Sequence, residues 1–237
     1  MSTKTFMHLF RGRTDCYGMN SICLKEPPTQ EIYNQHLKGD KRIGVYPITQ
    51  DNKTSWLSID IDEPNFDMAL SIRDKARHYK LHAYIERSKS KGHHVWIFFD
   101  KPVEAVKPRM IAELILKELE LKCEIFPKQD EINERAPYGN FIFLPLFGGD
   151  VKQGKTVFIN SANQVIVKND IDIEKIRLTE VTILDEIIEV NNLSRDKREI
   201  SPAEKVSTVS VLKGTLPCIE KIKEGNLKEG DGRNECA

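Results

Sequence analysis

The chain has 237 residues, room for one large domain or two small ones, and 39% apolar against 30% charged residues is an ordinary globular balance. Its 36 Lys and Arg cancel its 36 Asp and Glu, which excludes a general polyanion binder and leaves nucleic-acid contact to local patches such as Arg87, Lys89 and Lys91, or Lys152 and Lys155. No apolar run nears the roughly 18 residues that span a bilayer, the start at Met1 lacks an apolar signal core, and Cys16, Cys23, Cys123, Cys218 and Cys236 contain no CxxC pair, so a soluble cytoplasmic protein without membrane partner, zinc ribbon or disulfide framework is expected.

In chain order, the first segment to about residue 50 carries Leu9-Phe-Arg-Gly-Arg13 and a helix from Pro28 to Leu37 that Gly39 ends. A short strand, Ile43 to Pro47, precedes Trp56-Leu-Ser-Ile-Asp-Ile-Asp62, whose alternation marks a half-buried strand. Asn65 is placed to cap a helix with Ala69, Ile72, Ala76 and Tyr79 on one face. Ala83 to Glu86 is a strand, Arg87 to Gly92 a polar loop, and His94 to Phe99 a second strand. A helix follows Pro108, buried through Ile111, Leu114, Ile115 and Leu119. Strands are expected at Phe141–Leu146, Thr156–Ile159 and Gln164–Val167, and a helix from Thr179 to Val190. Strand–helix–strand–strand–helix–strand is the split βαβ order of an α+β, ferredoxin-like or RNA-recognition-like fold. The polar stretch 192–215 reads as a linker, and 216–237 as the cut start of a further unit.

Asp60 and Asp62 carry the most chemistry. Two apart on a strand, they point to one face about 7 Å apart, while Leu57, Ile59 and Ile61 point into a core. Such a pair is either two solvated charges or a cradle for hard divalent cations, and aspartate's poor fit to strands favours a reason for it. The loop Ser88-Lys-Ser-Lys-Gly-His-His94 is either a polar hairpin or a set of hydroxyl, N–H and cationic donors for a triphosphate. Asp130, after Phe126-Pro-Lys-Gln, is a turn residue or a third carboxylate for two-metal chemistry. Asn140, after Gly139, is turn chemistry or a backbone approach to a ligand.

Taken in order, these motifs resemble the archaeo-eukaryotic primase superfamily, and bacterial and phage primase-polymerases of conflict and CRISPR-associated systems most of all. The resemblance runs over about residues 8–160, through Leu9–Arg13, His36–Gly39, Ile43–Pro47, Glu86–Ser88, His94–Trp96, Phe126–Asp130, Gly139–Pro145 and Gly154–Val157. It implies a primase-polymerase catalytic domain over 1–191 with an N-terminal α/β subdomain at about 1–50. It further implies a metal triad of Asp60, Asp62 and Asp130 holding two Mg²⁺ or Mn²⁺ ions, with His94 also catalytic. Nucleotide would be bound by Ser88, His94, Lys91, Lys89 and Ser90, with Asn140 nearby and Tyr46 beneath the sugar. The implied reaction is template-directed nucleotidyl transfer from dNTPs or NTPs on single-stranded DNA, among replication or CRISPR proteins. Relatives carry a cysteine cluster where this chain keeps only Cys16 and Cys23, so no zinc is expected; the tail resembles the opening of a primase C-terminal domain in which Cys218 stands alone. A metal-dependent nuclease or replication-initiator endonuclease is the alternative, although adjacent His93 and His94 would face opposite ways. A non-catalytic RNA-recognition module is a third reading, against which stands the placing of aspartates where such modules carry stacking aromatics.

Overall fold

A computed structural model describes residues 2–169 and 171–195; the expected linker from residue 196 on, and the 216–237 segment with Cys218, lie outside them. The elements are α1 (Ser2–Leu9), β1 (Tyr17–Met19), β2 (Ile22–Leu24), α2 (Gln30–Lys38), β3 (Gly44–Val45), β4 (Lys53–Ile61), α3 (Phe66–His78), β5 (Ala83–Arg87) and β6 (His93–Glu104). They continue with α4 (Val106–Glu118), β7 (Glu124–Phe126), β8 (Ile142–Phe143), α5 (Gly148–Val151), β9 (Val157–Ile159), β10 (Val165–Val167) and α6 (Val181–Val190).

The caps explain most boundaries. Thr29 accepts from Ile32 N at the start of α2, and Gly39, at φ 95°, ends it. Asn65 accepts from Met68 N and opens α3 as its spacing predicts. Helix α4 begins two residues before Pro108, because a first-turn residue needs no N–H partner. Strand β8 is shorter than the Phe141–Leu146 expectation: Pro145 lacks a ladder donor, and Leu146 turns to φ 61°.

Six strands form an antiparallel sheet in the order β10-β9-β5-β6-β4-β7. Four consecutive strands of it, β7-β4-β6-β5, are the split βαβ arrangement that the sequence order indicates, so the fold is α+β and RNA-recognition-like. A second sheet, β2-β1-β3-β8, joins the N-terminal strands to Ile142 and Phe143. Residues 1–50 therefore do not close on themselves as a subdomain; β3 completes its pairing through a strand a hundred residues further on.

The large sheet is buried on both faces. Leu57, Ile59, Ile61, Val95 and Ile97 pack beneath α3, α4 and α6 with Ile72, Ile111, Ile115 and Leu184. The other face carries Trp56, Trp96, Phe98, Phe126 and Phe158, covered by Phe6, Phe10, Tyr33 and Ile43. Alternation alone predicts one open face here, but rings this large leave too much apolar area for water. Phe10 answers that need by standing edge-on to Trp96 and Phe98, at centroid distances of 5.3 and 5.2 Å. Trp56 Nε1 donates to Arg11 O at 2.9 Å, pinning the segment that follows α1.

Buried His36 ties the layers together. Its Nε2 donates to Pro145 O at 2.8 Å and its Nδ1 accepts from Ile43 N at 3.2 Å, a neutral imidazole with both nitrogens used. Burial pushes its pKa down to about 4. Between that value and the ordinary 6.5 the unfolded chain binds the extra proton, so this contribution is present above pH 6.5 and is lost as pH falls towards 4. Its size is about 3 kcal/mol. Urea unfolding at pH 7.0 and 4.5 checks it: wild type is expected to lose more stability across that interval than His36→Gln.

Candidate active site

Asp60 lies near the end of β4, where antiparallel register sets it opposite His94 of β6 on one side and Glu124 of β7 on the other. His94 stands opposite Glu86 of β5. Directly opposed residues share a face, so Glu124, Asp60, His94 and Glu86 form a transverse row across four strands. His94 Nδ1 is 2.8 Å from Glu86 Oε2, and its Nε2 is 3.3 Å from Asp60 Oδ1. Glu86 is 1% exposed and also accepts from Trp96 Nε1 at 2.7 Å. Burial works against charge on the imidazole, but Glu86 and Asp60 outweigh it and raise the His94 pKa to about 10. At neutral pH His94 is thus an imidazolium that donates from Nδ1 to Glu86 and holds its Nε2 beside the Asp60 carboxylate.

This row opens on a cavity of about 340 Å³. One wall is polar: Asp60, Asp62, Glu86, Ser88, Lys89, Ser90, Gly92 and His94. Phe126 and Thr156 join the lining from the same sheet's side, and Phe141, Phe143, Leu144 and Arg42 come from the layer that carries β8. Ser88 N donates to Gly92 O at 3.0 Å and closes the loop between β5 and β6. Gly92 is required there, since a Cβ would fall 2.0 Å from Ile61 O. Phe141 reaches the cavity by lying on bare backbone, and a Cβ on Gly44 or Gly18 would strike its ring at 2.3 or 2.5 Å. Arg42 lies over the Phe147 ring at 4.1 Å and is ion-paired with Asp150.

The structure thus gathers Asp60, Asp62, Ser88, Lys89, Ser90 and His94 around one space. Lys91 is exposed and outside the lining. Tyr46 is buried one layer back, 5.5 Å from the Phe141 ring, and Asn140 is exposed beside that phenylalanine. His93 points to the helical side, its ring 5.5 Å from Phe66, so the two histidines do face opposite ways.

Asp130 is not brought to Asp60. Strand β7 runs antiparallel to β4, so each residue after Glu124 retreats from Asp60 by about 3.3 Å along the strand. By Ile132 the chain has reached the other end of β4, where its N–H donates to Asn52 Oδ1 at 2.9 Å. Asp130 itself pairs with Arg109 Nε at 2.7 Å. The carboxylate that the register sets beside Asp60 is Glu124, which pairs with Lys128 at 2.7 Å.

Among the described residues, no three His, Cys, Asp or Glu side chains converge as a ready-made metal cage. Two hard-oxygen carboxylates, Asp60 and Asp62, do line the same cavity. That donor set fits Mg²⁺ or Mn²⁺, which commonly take one or two carboxylates and complete their shell with water and substrate phosphates. Glu86, Arg42, Phe141, Phe143 and Thr156 were not indicated as site residues by the motifs. Glu86 alone had a local signal, an acid two residues before Ser88 on the same strand face.

The profile of the archaeo-eukaryotic primase domain of the TOTE conflict system matches residues 20–187. The chain belongs to this family. No curated protein matches the sequence. Among solved structures, the polymerase domain of Mycobacterium tuberculosis ligase D in complex with DNA is similar at 13% identity, covering 73% of this chain and 70% of that one. The TM-score is 0.36, a likeness too distant to carry structural detail. Among the described residues no helix is long and apolar enough to cross a membrane.

The row makes a stability prediction. Glu86→Ala removes the acceptor shared by His94 and Trp96 and is expected to cost about 3–5 kcal/mol, as when a buried ion pair loses one partner. Glu86→Gln keeps an acceptor for Trp96 and should cost clearly less. Equal denaturation midpoints for the two variants would contradict the assignment of Glu86 as the buried acceptor.

Proposed function

We propose that this primase-family domain is a metal-dependent nucleotidyltransferase that adds (d)NTPs to a 3′-hydroxyl on single-stranded DNA and releases pyrophosphate, with residues 1–191 as its catalytic domain. The observation that carries the reading is the single cavity in which paired carboxylates, a hydroxyl loop and a cationic histidine face an aromatic wall. Its size suits a nucleotide, and its two walls match the two ends of one: phosphates against donors, a flat apolar base against Phe141 and Phe143.

Asp60 and Asp62 would hold the divalent ions, with Glu124 as the acid at hand in place of Asp130. Bound there, Mg²⁺ or Mn²⁺ supplies neutralisation of the triphosphate and a lowered pKa for the attacking hydroxyl. The remaining work belongs to the chain. Ser88 and the backbone of the Ser88–Gly92 loop donate to phosphate oxygens, and Lys89 adds charge at its rim. His94 is oriented by Glu86 and sets its cationic Nε2 beside Asp60 at the cavity lining. His94 and the Ser88–Gly92 closure are held before substrate arrives, so little reorganisation of them is required during the reaction.

Primer extension on a single-stranded template with Mn²⁺ tests this. The double variant Asp60→Asn/Asp62→Asn is expected to lose at least about a hundredfold in rate, and Glu124→Gln to be impaired. Asp130→Asn is expected to extend like wild type. Synthesis persisting in the double variant would overturn the site, and strand cleavage without synthesis would overturn the reaction.

A further inference from the structure

Thr156 is 2% exposed, lines the cavity, and its Oγ1 is buried without a hydrogen-bond partner. A hydroxyl in that condition forfeits roughly 1–3 kcal/mol unless something arrives to bond it. The backbone adds a second cost. Thr156 sits at φ 52°, a left-handed conformation that a β-branched residue rarely adopts. The surrounding chain imposes it: Thr156 O accepts from Leu146 N at 2.7 Å, Lys155 N donates to Asp150 O at 3.1 Å, and Arg87 Nη1 grips Gly154 O at 2.6 Å.

Position says what the hydroxyl is for. Strands β5 and β9 pair antiparallel through Glu86↔Phe158 and Arg87↔Val157. Thr156 directly precedes β9 as Ser88 directly follows β5, and both line the cavity. Two hydroxyls therefore flank the phosphate-loop end of the cavity, with Arg42 and Lys89 in the same lining.

We propose that Thr156 is a phosphate-binding residue, donating its Oγ1 proton to a phosphate oxygen of the incoming nucleotide beside Ser88. This rests on the nucleotidyltransferase reading and adds a contact that its carboxylates and histidine do not provide. The group supplies no proton or electrons to the reaction and acts by binding alone.

Calorimetric titration with dCTP and with inorganic tripolyphosphate, each with Mg²⁺, tests it on wild type, Thr156→Val, Thr156→Ser and Thr156→Gly. A hydrogen bond to a charged phosphate corresponds to roughly a tenfold to hundredfold loss of affinity when removed. Thr156→Val and Thr156→Gly should each weaken both ligands by that factor, while Thr156→Ser stays within about threefold of wild type. Glycine tolerates positive φ, so Thr156→Gly should keep the thermal midpoint and separate a lost contact from a lost fold. Wild-type affinity for tripolyphosphate in Thr156→Gly overturns the inference alone. Wild-type protein that binds neither ligand overturns the nucleotidyltransferase reading and this inference with it.

Discussion

The cross-strand register of β4 against β6 and β7 is the constraint on which the rest of the site depends. It is set from Trp56↔Phe98 to Ile61↔His93, beyond a bulge at Thr54–Trp56, and a slip of one residue would turn every side chain of that stretch to the other face. In the observed register Asp60 meets His94 and Glu124, and Ser58 meets Trp96 and Phe126. The same alignment that buries the aromatics places the charges. Packing of Trp96 and chemistry at His94 are thus two readings of one strand, joined physically at Glu86, which accepts from both.

Burial on both faces of the sheet explains why the site is a cavity rather than an open platform. The N-terminal layer is held down by Phe10 and by His36, and it carries β3, against which Ile142 and Phe143 pair. That pairing delivers the aromatic wall opposite the carboxylates. Loss of the cover would expose the tryptophans and remove the aromatic wall of the cavity. Stability and the shape of the cavity are coupled here through the same covering layer.

Much of this was legible in the chain itself. The alternation around Asp60, the Asn65 cap and the βαββαβ order lead to the observed β7-β4-β6-β5 arrangement. The Asp60, Ser88 and His94 motifs lead to one cavity. Asp130 misled because its motif follows Phe126 closely in sequence, while the antiparallel direction of β7 carries it away from Asp60; only register distinguishes it from Glu124. Thr156 falls in the Gly154–Val157 motif but takes no role from it, since nothing local announces a β-branched residue held at positive φ by Leu146 and Arg87 from outside its own segment. The second layer was hidden for the same reason: Phe143 pairs with Gly44 across a hundred residues.

On the proposed function, the end of β4, and not the loop beyond β7, organises the metal and the triphosphate. Anomalous diffraction from crystals soaked with Mn²⁺ and a non-hydrolysable dNTP addresses it without recourse to activity. The account predicts Mn²⁺ peaks within coordination distance of Asp60 and Asp62, with the phosphates along Ser88. Peaks at Asp130, or a triphosphate bound away from the Asp60 face, would contradict it.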